Sequence, residues 1–249
     1  MKVVSGGVTA AKGFTAGGVH CGIRKSRTKR DLGLIYSEVP CSAAAVYTTN
    51  LVKGAPLLVT KNHLADGVAQ ACIINSGNAN TCNANGVEIA EQTSSLLAKE
   101  LGIKTEDVVV ASTGVIGQPM TIDPFKRGVL PLVKDLSKDG SPRAAEAIMT
   151  TDTVKKEVAV SFELDGKEVT VGGIAKGSGM IHPNMATMLV FGPIGQHYTH
   201  HDKESDSDND DSNYHSSTRR FMIHYSVNSD LATYITSLNS SLPAISFLA

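Results

Sequence analysis

The chain has 249 residues, of which 41% are hydrophobic, and its formal net charge at pH 7 is −1. A chain of this size and composition can bury a core as one large domain or two small ones. The balanced charge excludes a strongly basic face for nucleic acid or for an anionic membrane, and it favours a small-molecule ligand.

The cysteines and the N-terminus indicate a reducing compartment. Cys21, Cys41, Cys72 and Cys82 form no Cys-x-x-Cys pair and have no histidine at ligand spacing, so we expect buried thiols without a metal site or disulfides. The N-terminus lacks an apolar segment of signal-peptide length, and no later apolar run could span a bilayer. The sequence therefore predicts a soluble cytoplasmic protein.

Short apolar runs predict β-strands in the first third of the chain. The predicted strands are residues 32–36, 43–49, 56–59 and 69–74. The turn formers at 75–80 follow the last strand, and their amides could line a pocket. The basic run at 25–30 is interpreted as a solvated loop.

The clearest predicted helix covers residues 87–101, where apolar side chains recur at spacings of three and four. Asn83 or Asn85 can cap its start, and Gly102 suits the position after its end.

Two proline pairs predict two further helices. Asp123-Pro124 and Ser141-Pro142 each place a capping side chain before a proline. The first of these helices is expected to end or kink near Pro131.

A β-hairpin is predicted at residues 155–171. Asp165-Gly166 is the strongest hairpin signal in the chain, and 167–171 form the return strand. The side chains expected on one face of the first strand are Val158, Val160, Phe162 and Leu164. Strands outnumber helices without strict alternation, which predicts an α+β or mixed α/β fold.

Residues 172–190, GGIAKGSGMIHPNMATMLV, are the strongest candidate for chemistry. Their glycines predict a turn with close backbone approach, and Lys176 places a cation in it. Thr187 follows, just before an apolar run. A threonine hydroxyl needs a base beside it to act as a nucleophile, and its own freed α-amine can be that base. By residue statistics alone, a threonine before such an apolar run is most often a β-branched strand residue.

Five blocks carry a family resemblance: GGVTAAKGF at 6–14, NSGNAN at 75–80, STGVIG at 112–117, TTDT at 150–153 and KGSGMIHPNMATML at 176–189. Together they resemble the glutamate N-acetyltransferase family, whose members are also called ornithine acetyltransferases. The resemblance covers about residues 6–191 and implies an α/β sandwich similar to a class of self-cleaving aminopeptidases.

The resemblance implies self-cleavage between Ala186 and Thr187, which makes Thr187 the first residue of a β chain and the nucleophile. The family moves an acetyl group from N-acetylornithine to glutamate through an acetyl-threonine, in arginine biosynthesis. It implies no bound cofactor, although some members accept acetyl-CoA as a co-substrate. Processed members usually assemble as a heterotetramer of two α and two β chains.

The resemblance also assigns further site residues. The oxyanion donors match the Thr113 hydroxyl and the Gly114 N–H, and the substrate contacts match Thr150, Lys176 and Thr187. Thr113 and Gly114 follow an apolar run, so we expect them at the end of a strand. The lysine ammonium offers a point charge and three donors to a substrate carboxylate. The threonine hydroxyl at 150 is equally typical of a turn.

The resemblance divides the chain into an α-chain-like domain at 1–186, the start of a β chain at 187–191, and a divergent tail at 192–249. A disordered linker, a histidine metal tract around His200-His201, and a shifted frame or truncation all remain open for the tail, and the last is favoured. Because the family's β chain supplies substrate contacts that cannot be placed in this tail, an active and an inactive copy both remain open.

Two other functions fit the same residues. A self-processing amidohydrolase or aminopeptidase would use the same N-terminal threonine with water as the acceptor, so it would differ only in deacylation. A non-catalytic remnant acting as an interaction protein would keep the fold and remain uncut.

Overall fold

The computed structural model describes residues 1–26, 28–48, 51–177, 188–196 and 220–226, and of Met188, Gln196 and 220–226 it describes the backbone alone. The helices in these ranges are α1 Ala55–His63, α2 Gly86–Leu101, α3 Asp123–Lys134 and α4 Ser141–Ile148. The strands are β1 Lys2–Val4, β2 Phe14–Val19, β3 Leu32–Tyr47, β4 Val68–Asn78, β5 Val108–Val115, β6 Lys156–Leu164, β7 Lys167–Lys176, β8 Met188–Gln196 and β9 Arg220–Ser226. The predicted α+β class is confirmed.

The nine described strands form one mixed sheet in the order β1-β6-β7-β8-β9-β3-β4-β5, and β2 also pairs with β3. The first part of the 16-residue β3 lies between β2 and β4, whereas its last part, from Ser42, pairs in parallel with β9. The β3–β4 register shifts between Tyr36 and Cys41. Close to this shift, the pairing of β3 with β2 ends and its pairing with β9 begins.

Helices cover both faces of this sheet, and the described residues form two hydrophobic cores. Side chains of α4 join one core with Ile35 of β3, and side chains of α2 and α3 join the other with Leu34. Successive strand side chains point to opposite faces, so these two neighbours enter different cores.

The elements with strong local signals are found where the sequence predicts them. Helix α2 ends at Leu101, and Gly102 follows it in the left-handed conformation with φ 69°. The β6–β7 turn has φ 52° at Asp165 and 72° at Gly166, as a two-residue type I′ hairpin requires.

The strand prediction at residues 56–59 is wrong, because these residues lie in α1. Gly54 is the extended N-cap residue and Pro56 lies in the first turn, where proline needs no hydrogen-bond donor. The predicted strand at 32–36 and residues 43–47 of the predicted strand at 43–49 belong to the single strand β3, and residue 49 lies outside the described residues. The predicted loop at 75–80 begins as the last residues of β4.

The predicted helix caps are also corrected. Asp123 and Ser141 are the first residues of α3 and α4, and neither makes a capping side-chain hydrogen bond. The Ser141 hydroxyl instead accepts from the Val8 N–H at 3.0 Å and donates to Glu157 at 2.9 Å. Helix α3 continues past Pro131 to Lys134, and this last turn buries Leu132 completely.

The predicted apolar face of β6 is wrong at its start, because Val158 is 45% exposed whereas Ala159 and Ser161 are buried. A short 3₁₀ helix at Gly7–Thr9 packs on this side of the β6–β7 hairpin. A Cβ atom at Gly172 would lie 2.1 Å from the Gly7 carbonyl oxygen, so only the smallest residue fits. The expected turn at Gly172-Gly173 is therefore a stretch of β7 that another backbone approaches closely.

Three of the four free cysteines are buried as predicted, but Cys82 is exposed. Burial raises the pKa of the Cys21 and Cys72 thiols. Within the described ranges, no group of three metal-ligating side chains lies close enough to hold an ion. None of the described helices has the length and apolar character needed to cross a membrane.

The division at residues 186 and 191 stays a prediction. Of the range 192–249, the structure describes 192–196 at the end of β8 and 220–226 as β9. These residues join the β1-β6-β7 part of the sheet to β3.

Candidate active site

Thr113 and Gly114 lie at the carboxyl end of β5, as expected from the apolar run before them. Residues 108–111 are at most 3% exposed and hold β5 in the interior beside the parallel strand β4. Thr113 is 4% exposed, and its hydroxyl has no hydrogen-bond partner among the described residues. Strand β5 therefore positions the Thr113 hydroxyl, and no described residue occupies its hydrogen-bonding capacity.

Gly114 packs closely against the backbone of the neighbouring strand β4. Its φ is 134°, which residues with side chains rarely adopt, and an added Cβ would lie 2.4 Å from the Gly77 carbonyl carbon. The β4–β5 register shifts between Gly77 and Asn78, which is a β-bulge beside this contact.

A buried asparagine network supports the two strand ends. Ser112 Oγ donates to Asn75 Oδ1 at 2.6 Å, and Asn75 Nδ2 donates to the Asn78 carbonyl at 2.9 Å. Asn78 Nδ2 donates to the Gln118 carbonyl, and Asn78 Oδ1 accepts from the Asn80 N–H. These amides were expected to line a pocket, but those of Asn75 and Asn78 are used to hold the loop.

Lys176 is the last residue of β7 and is only 3% exposed, so it is not a solvated turn lysine. Its Nζ donates to the Gly177 carbonyl at 2.5 Å and forms no salt bridge to a described carboxylate. Burial lowers the pKa of Lys176; the cations Lys156 and Arg24 act in the same direction, and Asp152 opposes them. A substrate carboxylate would satisfy this buried charge.

Asp152 connects two of the predicted substrate contacts. Its side chain is 2% exposed and accepts from the Gly177 N–H at 2.7 Å and the Thr150 N–H at 3.3 Å. Lys156 Nζ donates to the same carboxylate at 2.6 Å. Burial alone would raise the pKa of Asp152, but these hydrogen bonds outweigh burial and lower it. The Asp152 carboxylate thus holds the backbone of both Thr150 and Gly177, the residue that follows β7.

A second connection joins the Thr113 strand to the Thr150 segment. Ser76 lies opposite Thr113 in the β4–β5 register, and its hydroxyl donates to the Ala147 carbonyl near the end of α4, at 2.5 Å. Thr150 follows this helix by two residues. Within the described ranges no hydrogen bond joins Thr113 directly to Lys176.

Ala186 and Thr187, the predicted cleavage site and nucleophile, lie outside the described residues. Strand β8 begins at Met188, the next residue in the sequence, and Leu189 is paired with Lys176. The structure therefore places Lys176 beside the first residues of the strand that follows Thr187.

Two charged residues at this site were not selected from the sequence. Asp152 is the third residue of the TTDT block, so the resemblance of this block to the family could have indicated it as a site residue. Arg24 directly precedes the basic run at 25–30, which was interpreted as a solvated loop, and nothing in the sequence distinguishes it from its neighbours.

The ArgJ family model matches residues 15–194. The chain belongs to the ArgJ family. It is 50% identical over 192 residues to the arginine biosynthesis bifunctional protein ArgJ of Caldanaerobacter subterraneus subsp. tengcongensis, covering 77% of this chain and 47% of that protein. The ArgJ of Gloeobacter violaceus is 53% identical over 190 residues, which cover 76% of this chain and 47% of that protein. The chain thus spans about half the length of these curated relatives.

Solved ArgJ-family structures match the same part of the chain. The crystal structure of ArgJ from Bacillus halodurans has a TM-score of 0.68 and 43% identity, and it covers 75% of this chain and 98% of that chain. The ornithine acetyltransferase of Mycobacterium tuberculosis, in complex with ornithine, has a TM-score of 0.66 and 39% identity, covering 73% of this chain and 97% of that chain. The family resemblance of the five sequence blocks is confirmed.

Proposed function

We propose that this chain carries the acyl-transfer site of a glutamate N-acetyltransferase, which moves an acetyl group from N-acetylornithine to glutamate in arginine biosynthesis. Acetyl-CoA is a second possible acetyl donor. The active form is a heterotetramer of two α and two β chains, acting in the cytoplasm. Because the chain spans about half of its curated relatives, the activity, substrates and assembly are all part of the proposal.

One observation carries this proposal: the buried cation of Lys176 lies beside the strand that begins one residue after Thr187. A buried lysine without a carboxylate partner among the described residues is costly, and a bound substrate carboxylate would remove that cost. Family membership supports assigning the reacting hydroxyl to Thr187.

The proposed first step produces the nucleophile. The Thr187 hydroxyl attacks the Ala186 carbonyl carbon, and the peptide C–N bond breaks as an ester forms and the nitrogen takes the proton. Water then hydrolyses the ester, which leaves a carboxylate on Ala186 and a free α-amine on Thr187. That amine is the base that the hydroxyl lacks within an intact chain.

Acetyl transfer then proceeds in two half-reactions. The Thr187 oxygen attacks the acetyl carbon of N-acetylornithine while its α-amine accepts the hydroxyl proton and passes it to the departing ornithine amine. The glutamate amine next attacks the acetyl ester and loses a proton, and Thr187 recovers its hydroxyl. Both tetrahedral intermediates carry an oxyanion, to which the Thr113 hydroxyl and the Gly114 N–H donate.

The intact mass of the purified chain tests the nucleophile. We expect two fragments that meet between Ala186 and Thr187, and we expect Thr187→Ala to remain one uncut chain. Thr187→Ser is the matched control, because it keeps a hydroxyl and should still cleave. An unsubstituted chain that stays intact would contradict the proposed self-processing.

Acetyl transfer is tested on the processed protein with N-acetylornithine as the donor. We expect an acetyl mass increase on the fragment that begins at Thr187, and N-acetylglutamate when glutamate is added. If the acetyl group leaves equally fast without glutamate, water is the acceptor and the amidohydrolase alternative replaces the transferase.

A further inference from the structure

Arg24 holds a buried hydrogen-bond donor that no described residue uses. Its Nη2 is buried and has no hydrogen-bond partner among the described residues. An unsatisfied buried donor costs roughly 1–3 kcal/mol, and more when the group is charged. This cost suggests a ligand, provided that the guanidinium is held in place and faces the site.

The backbone of Arg24 is held by a buried carboxylate. Asp31 is fully buried and accepts from the N–H groups of Cys21 at 2.6 Å, Gly22 at 3.2 Å and Arg24 at 2.9 Å. His20 Nδ1 lies 3.1 Å from the same carboxylate. The Arg24 backbone is therefore fixed before any ligand binds, which lowers the entropic cost of binding.

The aliphatic part of the Arg24 side chain packs against Gly77, which is paired with Gly114 of the proposed oxyanion site. Its Cγ lies 2.8 Å from the position that a Cβ on Gly77 would take, and Gly77 is the residue against which Gly114 packs. Burial lowers the pKa of Arg24, whereas Asp31, Asp152 and Glu146 act in the opposite direction. Arg24 therefore packs beside the Gly77–Gly114 contact, and its charge interacts with those of Asp152 and Lys176.

The nearby carboxylates already have other partners. Lys156 donates to Asp152, and Arg30 donates to Glu146. Within the described part of the chain, Arg24 forms no salt bridge to any carboxylate. Arg24 and Lys176 are thus two cations at one site, neither of them paired with a described acidic side chain.

We infer that Arg24 binds the second carboxylate of a dicarboxylic amino acid, while Lys176 binds the first. This inference rests on the proposed function and deepens it, because it assigns to Arg24 the selection of glutamate as the acceptor. A guanidinium fits a carboxylate with two parallel hydrogen bonds, which makes arginine selective for that group. Two separated cations favour an acceptor with two carboxylates over one with a single carboxylate.

Comparing L-glutamate with L-glutamine isolates this second carboxylate, since the two ligands are nearly isosteric. Calorimetric titration of the incubated 249-residue chain should give tighter binding of L-glutamate. Arg24→Gln should raise the Kd for L-glutamate at least tenfold and leave the Kd for L-glutamine unchanged. Arg24→Lys keeps the charge without the planar fork and should give an intermediate Kd for L-glutamate.

Lys25→Gln is the matched control, because Lys25 is the next residue in the loop and is exposed. It should bind both ligands as the unsubstituted chain does. Equal weakening of both ligands by Arg24→Gln would indicate a structural role and overturn the inference, as would unchanged glutamate binding or no saturable binding by the unsubstituted chain. Self-cleavage needs no glutamate, so the intact-mass experiment judges the proposed function separately.

Discussion

At the scale of single residues, Asp152 organises the charge of the candidate site. Asp152 interacts electrostatically with three cations, Lys156, Lys176 and Arg24. Of these, Lys156 also donates a hydrogen bond to it. Its remaining hydrogen bonds come from the backbone of Thr150 and Gly177. The carboxylate thus fixes the position of both flanking segments while leaving two cations for a ligand.

The lowered pKa of Asp152 predicts how its contribution depends on pH. Its pKa is lower in the folded state than in the unfolded chain, so its stabilisation is fully present above about pH 4 and is lost as the pH falls through the lower folded value. Asp152→Asn should lower the free energy of unfolding at pH 7 by about 1–3 kcal/mol. Urea unfolding of both proteins between pH 7 and pH 2 should show this difference shrinking below about pH 4.

Asp165→Asn is the control for this pH series. Asp165 is exposed at the turn of the β6–β7 hairpin, and asparagine accepts the same positive φ. Its unfolding free energy should stay within about 0.5 kcal/mol of the unsubstituted value. A difference between Asp152→Asn and the unsubstituted chain that grows as the pH falls would contradict the assigned direction of the pKa shift.

Some of the candidate site could be predicted from residue identities, and some could not. Lys176 and Thr150 were identified because they lie in blocks that resemble a family. The burial of Lys176 and the shared carboxylate of Asp152 depend on contacts between β7 and the segment after α4, which no local pattern encodes. Arg24 was missed because a buried arginine and a solvated one look the same in a single sequence.

At the scale of elements, the close approach of the paired strands β4 and β5 depends on two glycines. Gly114→Ala would require the backbone of Gly77 to move and would place a side chain at φ 134°. We expect it to lower the free energy of unfolding by about 3 kcal/mol or more, because strain and overpacking add together. Urea unfolding monitored by circular dichroism would measure this loss.

Gly117→Ala is the matched control for Gly114→Ala. Gly117 also has a positive φ, 72°, but no atom lies within 4 Å of an added Cβ. Its cost should be only the conformational penalty of about 1–2 kcal/mol. Equal costs for the two variants would mean that close packing on Gly77 contributes nothing.

The elements that could be predicted have strong local signals, and those that could not are decided by distant contacts. Helix α2 and the Asp165-Gly166 hairpin depend on periodicity and turn residues, which are readable in sequence. Residues 56–59 are a four-residue apolar run, which fits a strand and a buried helix equally well. The buried face of β6 is decided by the 3₁₀ helix at Gly7–Thr9, which is far away in the chain.

At the scale of the whole molecule, β8 contributes to the same core as the N-terminal strands. Phe191 is fully buried in one core with Phe14 and Ile174. Phe191→Ala should therefore lower the free energy of unfolding by about 3–5 kcal/mol. Urea unfolding should remain a single transition with a lower midpoint.

Val158→Ala provides the comparison for this core substitution, because Val158 is 45% exposed. Its unfolding free energy should change by no more than about 0.5 kcal/mol. If both variants unfolded at the same urea concentration, β8 would not belong to the cooperative core.

The antiparallel pairing of β7 with β8 has a consequence for a chain that has been cut at residue 186. Before cleavage, the connecting segment keeps the two strands at a high effective concentration, and the cost of bringing them together is that of closing a loop. After cleavage, one sheet is shared by two polypeptides. Whether the sheet stays intact then depends on the concentration of the two fragments. Dilution, which leaves an uncut chain unaffected, would then separate the proposed nucleophile, Thr187, from Lys176.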